Sequence, residues 1–148
     1  MALTDETIST LTEAISKIIE SSLTESVLKR LDSLGYEVTE NDAFAIGFGV
    51  QKVENSIKND CNVSEVPEGL MNIAVDMVCG EVLSVKYKAG LLELSSLDLD
   101  GALSSVTVGG ATVSFDNNTS DAAKFNTLVS LLINGGRGEF ACYRRIKW

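Results

Sequence analysis

Pro67-Glu68-Gly69-Leu70-Met71-Asn72-Ile73-Ala74-Val75-Asp76-Met77-Val78-Cys79-Gly80-Glu81-Val82-Leu83-Ser84-Val85-Lys86-Tyr87 is the stretch on which the fold turns. It holds the chain's one proline, placed where a helix is expected to begin. At the first helical position proline forfeits no hydrogen bond and its φ already suits the helix. Glu68 then falls in the first turn, where the helix dipole favours an anion. From Leu70 to Val85 only Asp76 and Glu81 carry charge. A helix apolar on nearly every face must be enclosed by other elements. Asn72, Asp76, Gly80, Glu81 and Ser84 interrupt it too often for a membrane span, which needs roughly 20 mostly apolar residues. The stretch predicts the central helix, over about 66–87, of a mainly α domain. The expected fold is a small helical bundle around this helix, with a β-hairpin over about 104–115 and a C-terminal strand.

Upstream, three helices are expected. Thr4 caps the first, with Asp5 and Glu6 in its first turn. Ile8, Leu11, Ile15, Ile18 and Ile19 then share one face. After Ser21-Ser22, Thr24 has the position of a second N-cap, and Leu23 and Leu28 have the spacing of a hydrophobic staple. Val27, Leu28, Leu31 and Leu34 form its stripe, and Gly35 is a natural stop. Thr39 and Asp42 are placed to cap a third helix with Ile46, Val50, Val53 and Ile57 on one face. Phe44 and Phe48 lie beside that stripe. Gly47 and Gly49 weaken the helix by roughly 1 kcal/mol each relative to alanine, and would permit another helix to approach closely. Lys58 to Glu65 reads as a polar connection.

Downstream the pattern changes. Leu91, Leu92, Leu94, Leu97, Leu99 and Leu103 lie among Ser, Asp and Gly without a clean period. Such a connection either meets a partner or folds back over the core. Ser104 to Phe115 carries the β signal, with Gly109-Gly110 as a two-residue turn of positive φ. In that register Val106, Val108, Ala111, Val113 and Phe115 share one face. Thr119 or Ser120 caps a last helix with Phe125, Leu128, Val129, Leu132 and Ile133 on its apolar side. Asn134-Gly135-Gly136 ends it. The tail alternates Phe140, Cys142, Ile146 and Trp148 against Ala141, Tyr143, Arg145 and Lys147, which is strand-like and predicts an end tied to the body. The 148 residues are the size of one domain: a helical part over 1–87, a leucine-rich connection over 88–103, and hairpin, helix and tail over 104–148.

The formal net charge of −9 disfavours general nucleic-acid binding, which needs Lys and Arg against phosphate. The charge is uneven: residues 1–136 have a net of −12 and the last dozen a net of +3, from Arg137, Arg144, Arg145 and Lys147 against Glu139. A basic end on an acidic body suits either a charged contact with a neighbouring copy or a solvated terminus. The three cysteines, Cys61, Cys79 and Cys142, have neither disulfide-framework nor zinc spacing and read as small core residues in a reducing compartment. No basic stretch followed by an apolar run opens the chain, so no secretory signal is expected.

Little points to catalysis. The chain has no histidine, the usual general base. Gly135-Gly136-Arg137-Gly138 follows a helix instead of opening one and lacks the Gly-Lys-Ser/Thr ending of a phosphate loop. No catalytic residue, cofactor or metal ligand is therefore expected.

The order of elements carries a resemblance. Cys61-Asn62 precedes Val66-Pro67-Glu68-Gly69-Leu70 and a mostly apolar helix reaching Gly90. Ser105-Val106-Thr107-Val108-Gly109-Gly110-Ala111-Thr112-Val113-Ser114-Phe115 follows, then a helix and Tyr143-Arg144-Arg145-Ile146-Lys147-Trp148. From about Ala43 onward the chain resembles the head–tail connector (adaptor, or head-completion) proteins of tailed bacteriophages and related prophages. That resemblance implies a structural protein of the virion neck, made in the host cytoplasm and assembled into a homo-oligomeric ring, a dodecamer in such proteins. The ring joins the portal protein to the next neck or tail protein, and double-stranded DNA passes through its channel without specific binding. No membrane is involved. The surfaces expected to make contacts are the hairpin, through Val106, Val108, Val113 and Phe115, the leucine-rich connection, and the tail, through Phe140, Tyr143, Arg144, Arg145, Ile146 and Trp148. The alternatives are a tail-terminator ring and, from another class, a small cytoplasmic ligand-binding or regulatory domain.

Overall fold

The computed structural model describes residues 4–16, 23–106 and 119–146. Among them are six α-helices: α1 (Asp5–Ser16), α2 (Thr24–Ser33), α3 (Ala43–Cys61), α4 (Met71–Lys88), α5 (Leu99–Val106) and α6 (Asp121–Asn134). Four 3₁₀ segments link or extend them, at Glu40–Asp42, Glu68–Leu70, Leu94–Ser96 and Arg137–Tyr143. The mainly α, bundle-like reading holds, and α4 is its centre: α2, α3 and α6 all pack on it. Leu70, Ala74, Met77, Val78, Cys79, Val82 and Leu83 are all buried, so no wide face of α4 is left to solvent. The two charges in its apolar run lie where a neighbouring helix supplies a cation. Asp76 meets Arg30 of α2 at 2.8 Å, and Glu81 meets Lys52 of α3 at 3.0 Å.

Pro67 stands one place earlier than expected. Its backbone is extended (ψ 141°), and its carbonyl accepts the Leu70 N–H (2.9 Å), so it precedes the first turn instead of forming part of it. α3 and α4 are antiparallel: Asp42 meets Lys86 at one end, while Gly49 lies against Val78 and Val82 further along. A Cβ at Gly49 would come 3.4 Å from Val78 Cγ1, an ordinary van der Waals contact, so the close approach anticipated for this helix does not depend on that glycine. The approach that requires glycine is at Gly80 of α4, where a Cβ would lie 2.7 Å from Ile133 Cγ1 of α6. Tyr87 against Phe125 (ring centroids 4.8 Å apart) continues that antiparallel seam.

Several local expectations hold and others need correction. Thr4 Oγ1 accepts the Thr7 N–H (3.2 Å) at the start of α1; Ile18 and Ile19 lie outside the described residues. Thr24 does not cap α2: it is the first helical residue and is buried, and Leu23 occupies the cap position without a side-chain bond. Gly35 (φ 91°) ends α2 in a Schellman arrangement, with Tyr36 N–H on Leu31 O (3.0 Å) and Gly35 N–H on Asp32 O (3.0 Å). α3 runs on through the expected polar connection to Cys61, because Ile57 and Cys61 continue its buried stripe. Asn62 (φ 57°) ends it in the left-handed conformation. Ser120 caps α6 by accepting the Ala123 N–H (3.2 Å).

The hairpin expectation fails where it can be judged. Ser104, Ser105 and Val106 form the end of α5 and no part of a strand. Asp98 Oδ1 accepts the Gly101 N–H (3.1 Å), nucleating the helix, and Leu99, Ala102 and Leu103 recur at helical spacing in the core. That burial against α6 outweighs the β preference of the Ser-Val run. Val108, Val113 and Phe115, with the Gly109-Gly110 turn, lie outside the described residues. The C-terminal strand is also corrected. Arg137–Tyr143 is 3₁₀ helix, and no strand occurs among the described residues for the tail to pair with. The tail's alternation is not an inside–outside pattern, since Phe140 is buried while Cys142 is exposed. Cys142 is thus no core residue, unlike Cys61 and Cys79. The leucine-rich connection folds back over the core: Leu97, Leu99 and Leu103 are buried and only Leu91 is largely exposed.

Candidate interaction surfaces

The N-terminal end of α3 is organised by one buried carboxylate. Asp42 closes a capping box, its Oδ2 accepting the Thr39 N–H (2.9 Å). Its Oδ1 accepts the Tyr36 hydroxyl (2.9 Å) and lies 2.8 Å from Lys86 Nζ of α4. The side chains of Asp42 and Lys86 are only 3% and 12% exposed. Burial, then the hydrogen bond to Asp42 and that carboxylate's charge, push the Tyr36 phenol far above its usual value. The group joins the α2–α3 connection to the end of α4. Tyr36, Asp42 and Lys86 are each already partnered within the protein, which suits a structural joint better than a reacting centre.

The same ends of α3 and α4 also carry an apolar surface. Phe44 and Phe48, one turn apart on α3, stack with ring centroids 6.2 Å apart. They are 69% and 55% exposed, and Val85 of α4 beside them is 54% exposed. With Gly49 between them they line a cavity of about 200 Å³, whose rim carries the Lys52–Glu81 ion pair. Sequence reasoning noticed the two phenyl rings off the buried stripe but did not count them as a surface. The available signal was that Ile46, Val50, Val53 and Ile57 already fill the inward face.

The opposite end of α3 receives the tail. Phe140 is fully buried, and its carbonyl lies 3.7 Å from Cys61 Sγ, within reach of a weak thiol hydrogen bond. Arg145 N–H donates to Cys61 O (2.8 Å), Asn62 Nδ2 donates to Arg145 O (3.0 Å), and Arg144 lies 3.3 Å from Asp60. The expectation of a tied-down tail is met by these bonds, without a strand. Of the expected contact residues, Phe140 serves the core and Tyr143 packs half-buried against it. Arg144, Arg145 and Ile146 remain exposed, Ile146 by 79%. Val106 is helical, and Trp148 lies outside the described residues. The tail therefore brings Arg144, Arg145 and Ile146 together at one pole.

Among the described residues no three His, Cys, Asp or Glu side chains are grouped to hold a metal ion. No described helix is long and apolar enough to cross a membrane. Compared with protein-family models, curated proteins and solved structures, the chain matches none.

Proposed function

We propose that this chain is a structural subunit of a homo-oligomeric ring in the neck of a tailed phage, placed between the portal protein and the next neck or tail protein. The observation that carries the reading is the tail. A segment distant in sequence is fastened to α3 by Phe140 and by backbone bonds, while two arginines and Ile146 are held outward on an acidic body. Ordering a short polar–apolar segment on a rigid support lowers the entropy lost when it binds. A net negative body repels phosphate, so DNA would slide through such a ring without being gripped.

The reading is tested on particles from a phage or prophage that carries the gene. A tagged copy should appear in projection images as a ring at the portal vertex. Removing residues from Arg144 onward, which spares Phe140, should leave a folded chain that no longer completes particles. Full infectivity of the truncated form, or absence of the chain from purified particles, would overturn the reading. The tail-terminator alternative is separated by position: its ring would sit at the end of the tail tube, away from the portal.

A further inference from the structure

The two ends of α3 present unlike, complementary features. At one end the phenyl rings of Phe44 and Phe48, with Val85, surround a small apolar cavity. At the other, Ile146 stands almost wholly in solvent although the backbone next to it is pinned to Cys61 and Asn62. An apolar side chain held outward on an ordered segment has already lost most of the freedom that binding would take from it.

The geometry points to Ile146 of one copy seating in the Phe44–Phe48–Val85 cavity of the next copy. Within one molecule the two cannot meet. Phe48 and Cys61 are 13 positions apart on the same helix, which at 1.5 Å per residue is about 20 Å. Ile146 follows directly on Arg145, whose N–H is bonded to the Cys61 carbonyl. An Ile146 seated in this cavity therefore belongs to a second chain. Charge favours the same pairing. Glu81 on the cavity rim is already paired with Lys52 and Arg144 with Asp60, so the attraction is between net charges: +3 over the last dozen residues, with Arg145 directly before Ile146, and −12 over residues 1–136. Opposite poles attract and orient the encounter, and the like ends of two copies repel.

A knob and a socket on different parts of one surface make a heterologous contact. Each copy then keeps one free knob and one free socket, so the chain of contacts closes into a ring or grows as a filament. This inference deepens the ring reading and rests on it.

The test uses the full chain and two variants of exposed residues, Phe48→Asp and Ile146→Asp, with circular dichroism to show unchanged helix content. Sedimentation of the wild type should show association that strengthens with concentration. Each variant alone should associate at least ~100-fold more weakly, since a carboxylate enters the apolar seat. An equimolar mixture of the two should form a dimer and nothing larger. One good knob then meets one good socket, and both remaining ends are spoiled. If both variants associate as the wild type does, this contact is wrong while the ring reading stands. If Phe48→Asp blocks association and Ile146→Asp does not, the cavity takes another occupant, such as a like patch or the 107–118 segment, and the proposal fails. A wild type that stays monomeric at about 1 mM overturns the contact; the ring reading is then judged separately by the particle images.

Discussion

At the N-terminal end of α3 a nearly dehydrated carboxylate, Asp42, holds three partners from two neighbouring segments. At the C-terminal end the ion pair is in solvent, Arg144 and Asp60 being 55% and 41% exposed, and a buried phenyl ring anchors the segment. The same helix is thus secured by buried charge at one end and by apolar burial plus backbone bonds at the other. The contrast teaches where charge matters for stability. An exposed pair is screened and contributes little, whereas a buried charge becomes expensive when its partner is taken away.

Four substitutions and one titration would break or sharpen that contrast. Phe140→Ala should cost about 4 kcal/mol and lower Tm by roughly 8–16 °C, because the cavity it leaves sits beneath the tail's anchor. Asp42→Ala should cost about 3 kcal/mol in denaturant unfolding, since it leaves Lys86 buried without a counter-charge and Tyr36 without its acceptor. If Phe140→Ala proves harmless, the tail is held by its polar bonds and the comparison reverses.

The titration concerns Tyr36. Its phenol is held neutral in the folded protein by burial and by Asp42. The folded pKa is raised above the unfolded one, so this stabilisation is fully present below the unfolded pKa, about 10, and is lost as pH rises above it. Unfolding free energy should fall by up to about 1.4 kcal/mol per pH unit there from this group, and Tyr36→Phe should remove that part of the slope. The buried Cys79 thiol is pushed up by desolvation too and adds loss of the same sign, so the comparison of the two proteins, not the bare slope, is the measurement. Asn62→Ala should cost about 1 kcal/mol, from one hydrogen bond and a left-handed backbone position that alanine disfavours. Arg144→Ala should change stability by about 0.3 kcal/mol or less, and high salt should erase even that.

The helical body was legible because its signals were local and periodic. Pro67 before an apolar run, the capping pair Thr39 and Asp42, Gly35 after Leu34 and the Phe125–Leu132 stripe each name an element from neighbouring residues. The misreadings came where tertiary contact decided. Ser104–Val106 has β propensity, yet Leu99 and Leu103 needed α6 to cover them, and the helix ran on through Val106. Alternation in the tail suggested a strand, but a strand requires an edge to pair with, and among the described residues only helices are available. The apolar cavity was hidden for a further reason: Phe44 and Phe48 come from α3 and Val85 from α4. Only the antiparallel docking of those helices brings the three together.

Arg144 lies 84 residues beyond Asp60. At about 5–20 residues per second, synthesis delivers the tail roughly 4–17 s after the last turn of α3 has been made. For that interval the nascent helix ends on its own resources, with Asn62 in its left-handed turn and the Val63 N–H on the Lys58 carbonyl at 3.1 Å. A newborn chain can thus pack the earlier helices before it can display Ile146. The outward-facing pole becomes available for neighbours only after Ile146 itself has been made.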